Sequence, residues 1–169
     1  YDHQTMRQLT IPEGFLLLLK VRNEYWVQEM HGPLHQLKDG RLSKIEGSEF
    51  LNGTTTRVIL PYGKDRYLIG TSTGEIYIYD KKNFIPWNNA LSSQLHGQEL
   101  NCGIYCAKRN SYYLGTQLSG IYEIDVQGNI LNHFSAANSL QNNTILSLYE
   151  DNRNNICLLY TSPSPRDYA

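Results

Sequence analysis

The chain has only three cysteines in 169 residues, too few for a small disulfide scaffold. Two of them, Cys102 and Cys106, stand four apart in one apolar stretch. On a strand that spacing puts both on one face but about 13 Å apart. That is beyond disulfide reach, so they read as small core or strand residues. The formal charge of −1 gives no broad electrostatic case for nucleic acid or an anionic membrane. No stretch approaches the roughly 20 apolar residues that cross a bilayer as a helix; residues 15–19 form an apolar run of buried-strand length. Alanine is scarce while tyrosine reaches 13, a bias toward strands. No helix of useful length and no domain boundary is expected. There is no phosphate-binding glycine loop. The Gly-Thr pairs and Ser119-Gly120 are not nucleophile elbows, because no helix follows them.

What the chain does have is a frame that recurs. Arg66-Tyr-Leu-Ile-Gly-Thr-Ser-Thr-Gly-Glu-Ile-Tyr-Ile-Tyr-Asp80 is echoed by Ser111-Tyr-Tyr-Leu-Gly-Thr-Gln-Leu-Ser-Gly-Ile-Tyr-Glu-Ile-Asp125. Tyr67 maps to Tyr112, 45 residues on, with Gly70-Thr71 on Gly115-Thr116, Ile76-Tyr77 on Ile121-Tyr122, and Asp80 on Asp125. A looser copy around Tyr25-Trp26-Val27 lies 42 residues before Tyr67. A period in the low forties built of strand-like units is the signature of β-propeller blades.

The units divide into four strands each. The second reads as strands over 56–62, 66–71, 75–80 and 83–86, with turns at Gly63-Lys64-Asp65 and Ser72-Thr73-Gly74. The third reads as 100–107, 112–116, 120–126 and 129–134, and the first as 14–21, 24–29, 33–38 and 41–45, with Asp39-Gly40 as a hairpin signal. The expected fold is therefore all-β, a propeller fragment: blades at about 14–46, 56–86 and 100–134, the start of a fourth at 143–156, and residues 1–12 as the tail of a preceding one. Three blades with partial ones at both ends do not close a ring of about four to eight. Terminal units of such an array lack a neighbour to bury their faces, so the remaining blades of the same chain are expected partners.

The last residues read differently. Cys157-Leu-Leu-Tyr-Thr-Ser-Pro-Ser-Pro-Arg-Asp167 reads, codon by codon, as a translated transposase adapter of the kind used to build sequencing libraries. Residues 157–169 are therefore set aside from the fold expectation as a non-native tail. Tyr1 is not a start residue, so the chain is expected to be an internal piece.

At the fourth unit the residues resemble a known family. Asn143-Thr-Ile-Leu-Ser-Leu-Tyr-Glu-Asp151, followed by Asn154-Asn155-Ile156, resembles the two-component regulator propeller repeat, which runs from Asn through apolar positions to Glu-Asp, a polar turn and Ile-Trp-Ile-Gly-Thr. Cys157 stands where its tryptophan would be. Gly70-Thr71 with Ile76-Tyr77, and Gly115-Thr116 with Gly120-Ile-Tyr122, look like the later part of the repeat. The first unit resembles blades in which the Gly-Thr is missing. The resemblance covers residues 14 to about 156. It implies a large sensor of Bacteroidetes-type bacteria whose propellers lie in the periplasm, followed by a three-tyrosine β-sandwich, a membrane helix and a cytoplasmic output. That output is a histidine kinase with a response regulator, or a helix-turn-helix regulator of transcription. It also implies an oligosaccharide ligand and a full-length homodimer. None of the later parts is in this sequence, so no kinase or DNA-binding residue is assigned, and membrane contact is expected only through parts beyond it. The chain is expected to be non-enzymatic and without a cofactor. Two other readings stay open: a scaffold propeller for protein contacts, and a piece of a propeller-fold lyase or glycosidase.

Candidate residues follow from chemistry. Trp87, Asn88, Asn89 and His96 lie in a long connection between blades. A tryptophan face stacks on a sugar while asparagines bond its hydroxyls; the plainer role for Trp87 is to plug the gap between blades. Trp26, at mid-strand, is expected between blades. His31 and His35 are four apart, but zinc wants three or four converging ligands, and no metal site is expected. His96 and His133 are isolated, expected in loops or at strand edges. Asp80, Asp125 and Glu150-Asp151 occupy repeat positions and are expected to accept turn hydrogen bonds rather than converge on a substrate. Asn52-Gly-Thr54 and Asn142-Asn-Thr144 match glycosylation acceptors and are read as turns.

Overall fold

The computed structural model describes residues 14–30 and 32–160. The expectations for residues 1–12 and for His31 lie outside the described residues. Fourteen strands form four antiparallel sheets. The first holds β1 (Phe15–Val21), β2 (Glu24–Glu29), β3 (Leu34–Lys38) and β4 (Arg41–Lys44); the second β5 (Thr56–Tyr62), β6 (Arg66–Thr71), β7 (Ile76–Tyr79) and β8 (Phe84–Pro86). The third holds β9 (Leu100–Cys106), β10 (Ser111–Thr116), β11 (Ile121–Asp125) and β12 (Ile130–Phe134), and the fourth only β13 (Ile145–Glu150) and β14 (Ile156–Tyr160). Within each sheet the strands pair in chain order. The first strands β1, β5, β9 and β13 pack against one another in succession. These are blades of a β-propeller, with the first strand of each nearest the axis.

Each strand of an interior blade serves two cores, because alternate side chains leave on opposite faces. Tyr67 and Ile69 of β6 join Trp26, Leu34, Ile45, Leu51 and Ile59 between the first and second blades. Their neighbour Leu68 joins Val58, Leu60, Ile76, Leu100, Tyr112 and Leu114 between the second and third. Tyr113, Ile121, Ile145 and Leu148 lie between the third and fourth. Such burial is the main favourable term in folding, and here it is divided among three inter-blade seams.

The repeat tyrosines stitch those seams. The Tyr67 hydroxyl donates to Glu24 of the first blade at 2.5 Å, and Trp26 Nε1 donates to the same carboxylate at 3.3 Å. Burial first, then the hydrogen bond to Glu24, pushes the Tyr67 phenol up to about 12. Tyr112, its counterpart, donates to Pro61 O of the second blade at 2.8 Å. Trp26 is buried as expected, with its ring 4.9 Å from Tyr67.

The aspartates of the frame hold turns. Asp80 accepts from the backbone N–H of Lys82 and Asn83, and Asp125 from Gln127 and Asn129. Asp151 accepts from Arg153 and Asn155. Cys102 and Cys106 are free thiols against the fourth blade. His133 lies in β12, stacked 4.2 Å from Tyr122.

Two features depart from the sequence reading. A six-residue helix, α1 (Ala90–Leu95), stands where a loop was expected. In addition, β14 continues through Tyr160, so residues 157–160 pair with β13. The alternating apolar character of Ile156-Cys-Leu-Leu-Tyr160 suffices for strand pairing, whatever the origin of those residues.

Candidate functional site

The antiparallel order places one set of connections at a single end of the blades: the β6–β7 turn, the β10–β11 turn, and the long links β4–β5 and β8–β9. Backbone bonds tie this end together. Ser72 N donates to Thr55 O at 2.7 Å, Gln117 N to Glu99 O at 3.0 Å, and Gly120 N to Asn143 O at 3.0 Å. Thr71 and Thr116 shape the two turns. The Thr71 hydroxyl accepts from Glu75 N at 3.2 Å, and that of Thr116 from Ser119 N at 2.9 Å.

Helix α1 closes over the β6–β7 turn. Asn89 caps its first turn by accepting from Leu91 N and Ser92 N, while Asn89 N donates back to the Ser92 hydroxyl. Leu91 and Leu95 face inward and are fully buried. Gly74, with φ of +87°, lets the turn run directly beneath the Leu95 carbonyl; a side chain there would collide with that oxygen.

This arrangement separates the four residues singled out from the sequence. Asn88 and His96, both exposed, come together in a cleft of about 320 Å³ with Glu75, Tyr77, Pro86 and Ser92. Trp87 and Asn89 turn the other way. The Trp87 ring meets Tyr62 edge-on at 5.8 Å and packs on the core between the second and third blades. The Asn89 amide lies against Gly128, with its Nδ2 buried and without a hydrogen-bond partner. Trp87 thus takes the gap-plugging position. The signal for the helix was present in the sequence: Asn89 and Ser92 have capping-box spacing, and Leu91 and Leu95 are four apart.

A second cleft of about 470 Å³ shares His96 and runs toward the axis. It is lined by Arg57, Ser72, Thr73, Gly97, Glu99 and Gln117. Sequence reasoning read Ser72, Thr73 and Gln117 only as parts of the recurring frame and missed the set as a site, because these residues converge only through the blade arrangement. Together the two clefts offer a guanidinium, an imidazole, two carboxylates, hydroxyls and amides beside the half-buried Tyr77 ring. That is the donor and acceptor set of a site for a polar, hydroxyl-rich ligand. Burial first, then Glu75, pushes the Tyr77 phenol up, so it remains a neutral hydroxyl.

A larger cleft, about 770 Å³, lies at the other end between the first two blades, where Glu24, Trp26, Tyr67 and Tyr79 line it with Lys38 and Lys81. Its aromatic rings are buried in the seam, except Tyr25. A fourth cleft, lined by Tyr113, Ile121, Phe134, Leu140 and Leu158, lies between the third and fourth blades. Among the described residues no cluster of three or more His, Cys, Asp or Glu could hold a metal ion. No helix there is long and apolar enough to cross a membrane.

No protein-family profile matches the chain, and no curated protein matches it. Solved structures do match in fold. The computationally designed Ika4 protein is similar at 13% identity and a TM-score of 0.56, over 93% of this chain and 100% of that one. The extracellular domain of the candidate hybrid two component system BT4673 from B. thetaiotaomicron is similar at 18% identity and a TM-score of 0.62, over 90% of this chain and 24% of that one. The corresponding domain of BT3049 from the same organism is similar at 20% identity and a TM-score of 0.52, over 80% of this chain and 17% of that one. The chain therefore spans a quarter or less of those two extracellular domains.

Proposed function

We propose that this chain is a segment of the extracytoplasmic, ligand-sensing propeller of a bacterial membrane-bound signalling regulator, and that it contributes to the binding of an oligosaccharide. The observation that carries the reading is the likeness in fold to the extracellular domains of two candidate two component systems. The Asn143–Asp151 segment and the Gly-Thr frame point the same way from sequence. The clefts around His96 supply the place for a sugar: Asn88, Ser92, Thr73 and Gln117 offer hydrogen bonds, and Tyr77 lines the wall beside them. In this reading the domain sits in the periplasm, the whole protein is a homodimer, and ligand biases one of two arrangements passed across the membrane. The segment itself binds and does not catalyse.

The test is the uninterrupted gene, recovered by long-read sequencing of the source DNA. The reading expects Ile156 to lead into Trp and Gly-Thr, and later into a membrane helix with a kinase or helix-turn-helix output. A secreted propeller with nothing after it would replace sensing with the enzyme reading. A genomic Ser/Pro tail that ends the frame would leave the propeller without an output and overturn the sensor reading.

A further inference from the structure

The first strand of every blade carries one extra residue at the same place. In β5, Thr56 pairs with Thr71 and Val58 with Gly70, so Arg57 faces no partner residue. The same slip leaves Leu16 extra in β1, Asn101 in β9 and Leu146 in β13. A bulge of this kind releases a side chain from the alternation of the ladder and re-aims it. In the third blade the released side chain has a structural use, since Asn101 Nδ2 donates to Ile145 O of the fourth blade at 2.8 Å.

Arg57 has no such use. Its Nε is buried and lacks a hydrogen-bond partner. Among the described residues the ion pairs are His35–Glu29, Lys44–Glu49 and Lys81–Asp65, so Arg57 is in no close ion pair, although Glu99 lines the same cleft. Its side chain lines the cleft that opens toward Thr73, His96 and Gln117. A buried guanidinium N–H without an acceptor is costly, and a guanidinium fork matches a planar carboxylate with two parallel bonds.

We infer that Arg57 is the carboxylate anchor of this cleft, and that the ligand is an acidic oligosaccharide bearing a uronate group. The carboxylate accepts from the part of the Arg57 guanidinium that lines the cleft, while sugar hydroxyls reach Thr73, His96 and Gln117. This rests on the sensing reading and narrows its ligand class.

The test titrates trigalacturonate and the neutral galactotriose, each into the full chain at micromolar concentration, with the thermal midpoint of every variant recorded. Trigalacturonate is expected to bind, and Arg57→Gln to weaken it by about tenfold or more, the loss of a charge-assisted bond. Arg57→Lys retains the charge without the fork and is expected to fall between. Lys82→Gln removes one positive charge from the opposite end and leaves binding unchanged. Three results overturn the inference: no binding of trigalacturonate, equal trigalacturonate affinity in wild type and Arg57→Gln, or galactotriose binding as tightly as trigalacturonate. In the last case the sensing reading survives its narrower form. When neither sugar binds, sensing is decided separately by the gene's downstream domains.

Discussion

At the scale of single residues, the Gly-Thr pair of the frame has two distinct tasks. A Cβ on Gly70 would lie 2.5 Å from Leu100 Cδ2 and 2.6 Å from Val58 Cγ2. One on Gly115 would lie 2.8 Å from both Cys102 Sγ and Ile145 Cγ2. The glycine therefore admits the next blade's first strand, and the threonine then forms the turn. Gly70→Ala and Gly115→Ala are each expected to cost about 1–3 kcal/mol from overpacking, read as a lower urea midpoint. In the first blade the matching position is Gln28, fully buried. Its Nε2 donates to Thr54 O at 2.8 Å and its Oε1 accepts from Thr56 N at 2.7 Å. A polar side chain thus replaces close approach with hydrogen bonds to the next blade. The turn aspartates give a pH dependence. The backbone N–H groups of Asn83 and Lys82 hold the Asp80 carboxyl below its ordinary value, and the Asn155 side chain and backbone do the same for Asp151. A depressed folded value means the stabilisation is present above the ordinary carboxylate range and is lost as pH falls through the depressed one. Asp80→Asn and Asp151→Asn should each flatten the acid limb of a plot of thermal midpoint against pH; an unchanged limb would show that these turns contribute nothing to it.

At the scale of elements, α1 is too short to be stable by itself and depends on its cap and on Leu91 and Leu95. Asn89→Ala should cost about 0.5–2 kcal/mol and raise amide exchange across 90–95. Because α1 carries Ser92 and leads into His96, the same change should weaken ligand binding without touching the ligand. Most strands were legible in the sequence, since Glu75-Ile-Tyr-Ile-Tyr and its copies alternate and their turns carry Gly or Asp. The helix was not read, because six residues with one capping pair are a weak signal beside thirteen tyrosines. Within the site, Asn88 and His96 were legible as polar residues in a connection. Arg57 was not, because its direction depends on a slip of register that no single strand reveals. Trp87 and Asn89 looked like their neighbour Asn88 in sequence; whether a loop residue faces solvent or seam is decided by the blade it meets.

At the scale of the whole molecule, the outward faces are unequal. Interior seams are closed, whereas Leu18 is 60% exposed on the first blade, and Tyr149 is 63% and Leu159 59% exposed on the fourth. Apolar faces of this kind normally pack against further blades. Replacing Leu18 with Lys and both Tyr149 and Leu159 with Glu should shift the chain toward monomer in sedimentation velocity, with little effect on its unfolding transition. Leu68→Ala, inside a closed seam, should instead cost about 2–5 kcal/mol and leave association unchanged.

The shared bulge has a consequence for how such arrays diversify. The slipped residue contributes no rung to its sheet, so its identity is decoupled from the ladder: leucine, arginine, asparagine and leucine occupy the same address in four successive units. When a unit is duplicated, the address is copied with its scaffold, and each copy is then free to change its letter. A closed ring would display those letters as a short word around its axis, and chemical taste could be rewritten there one position at a time while the architecture stays as it was.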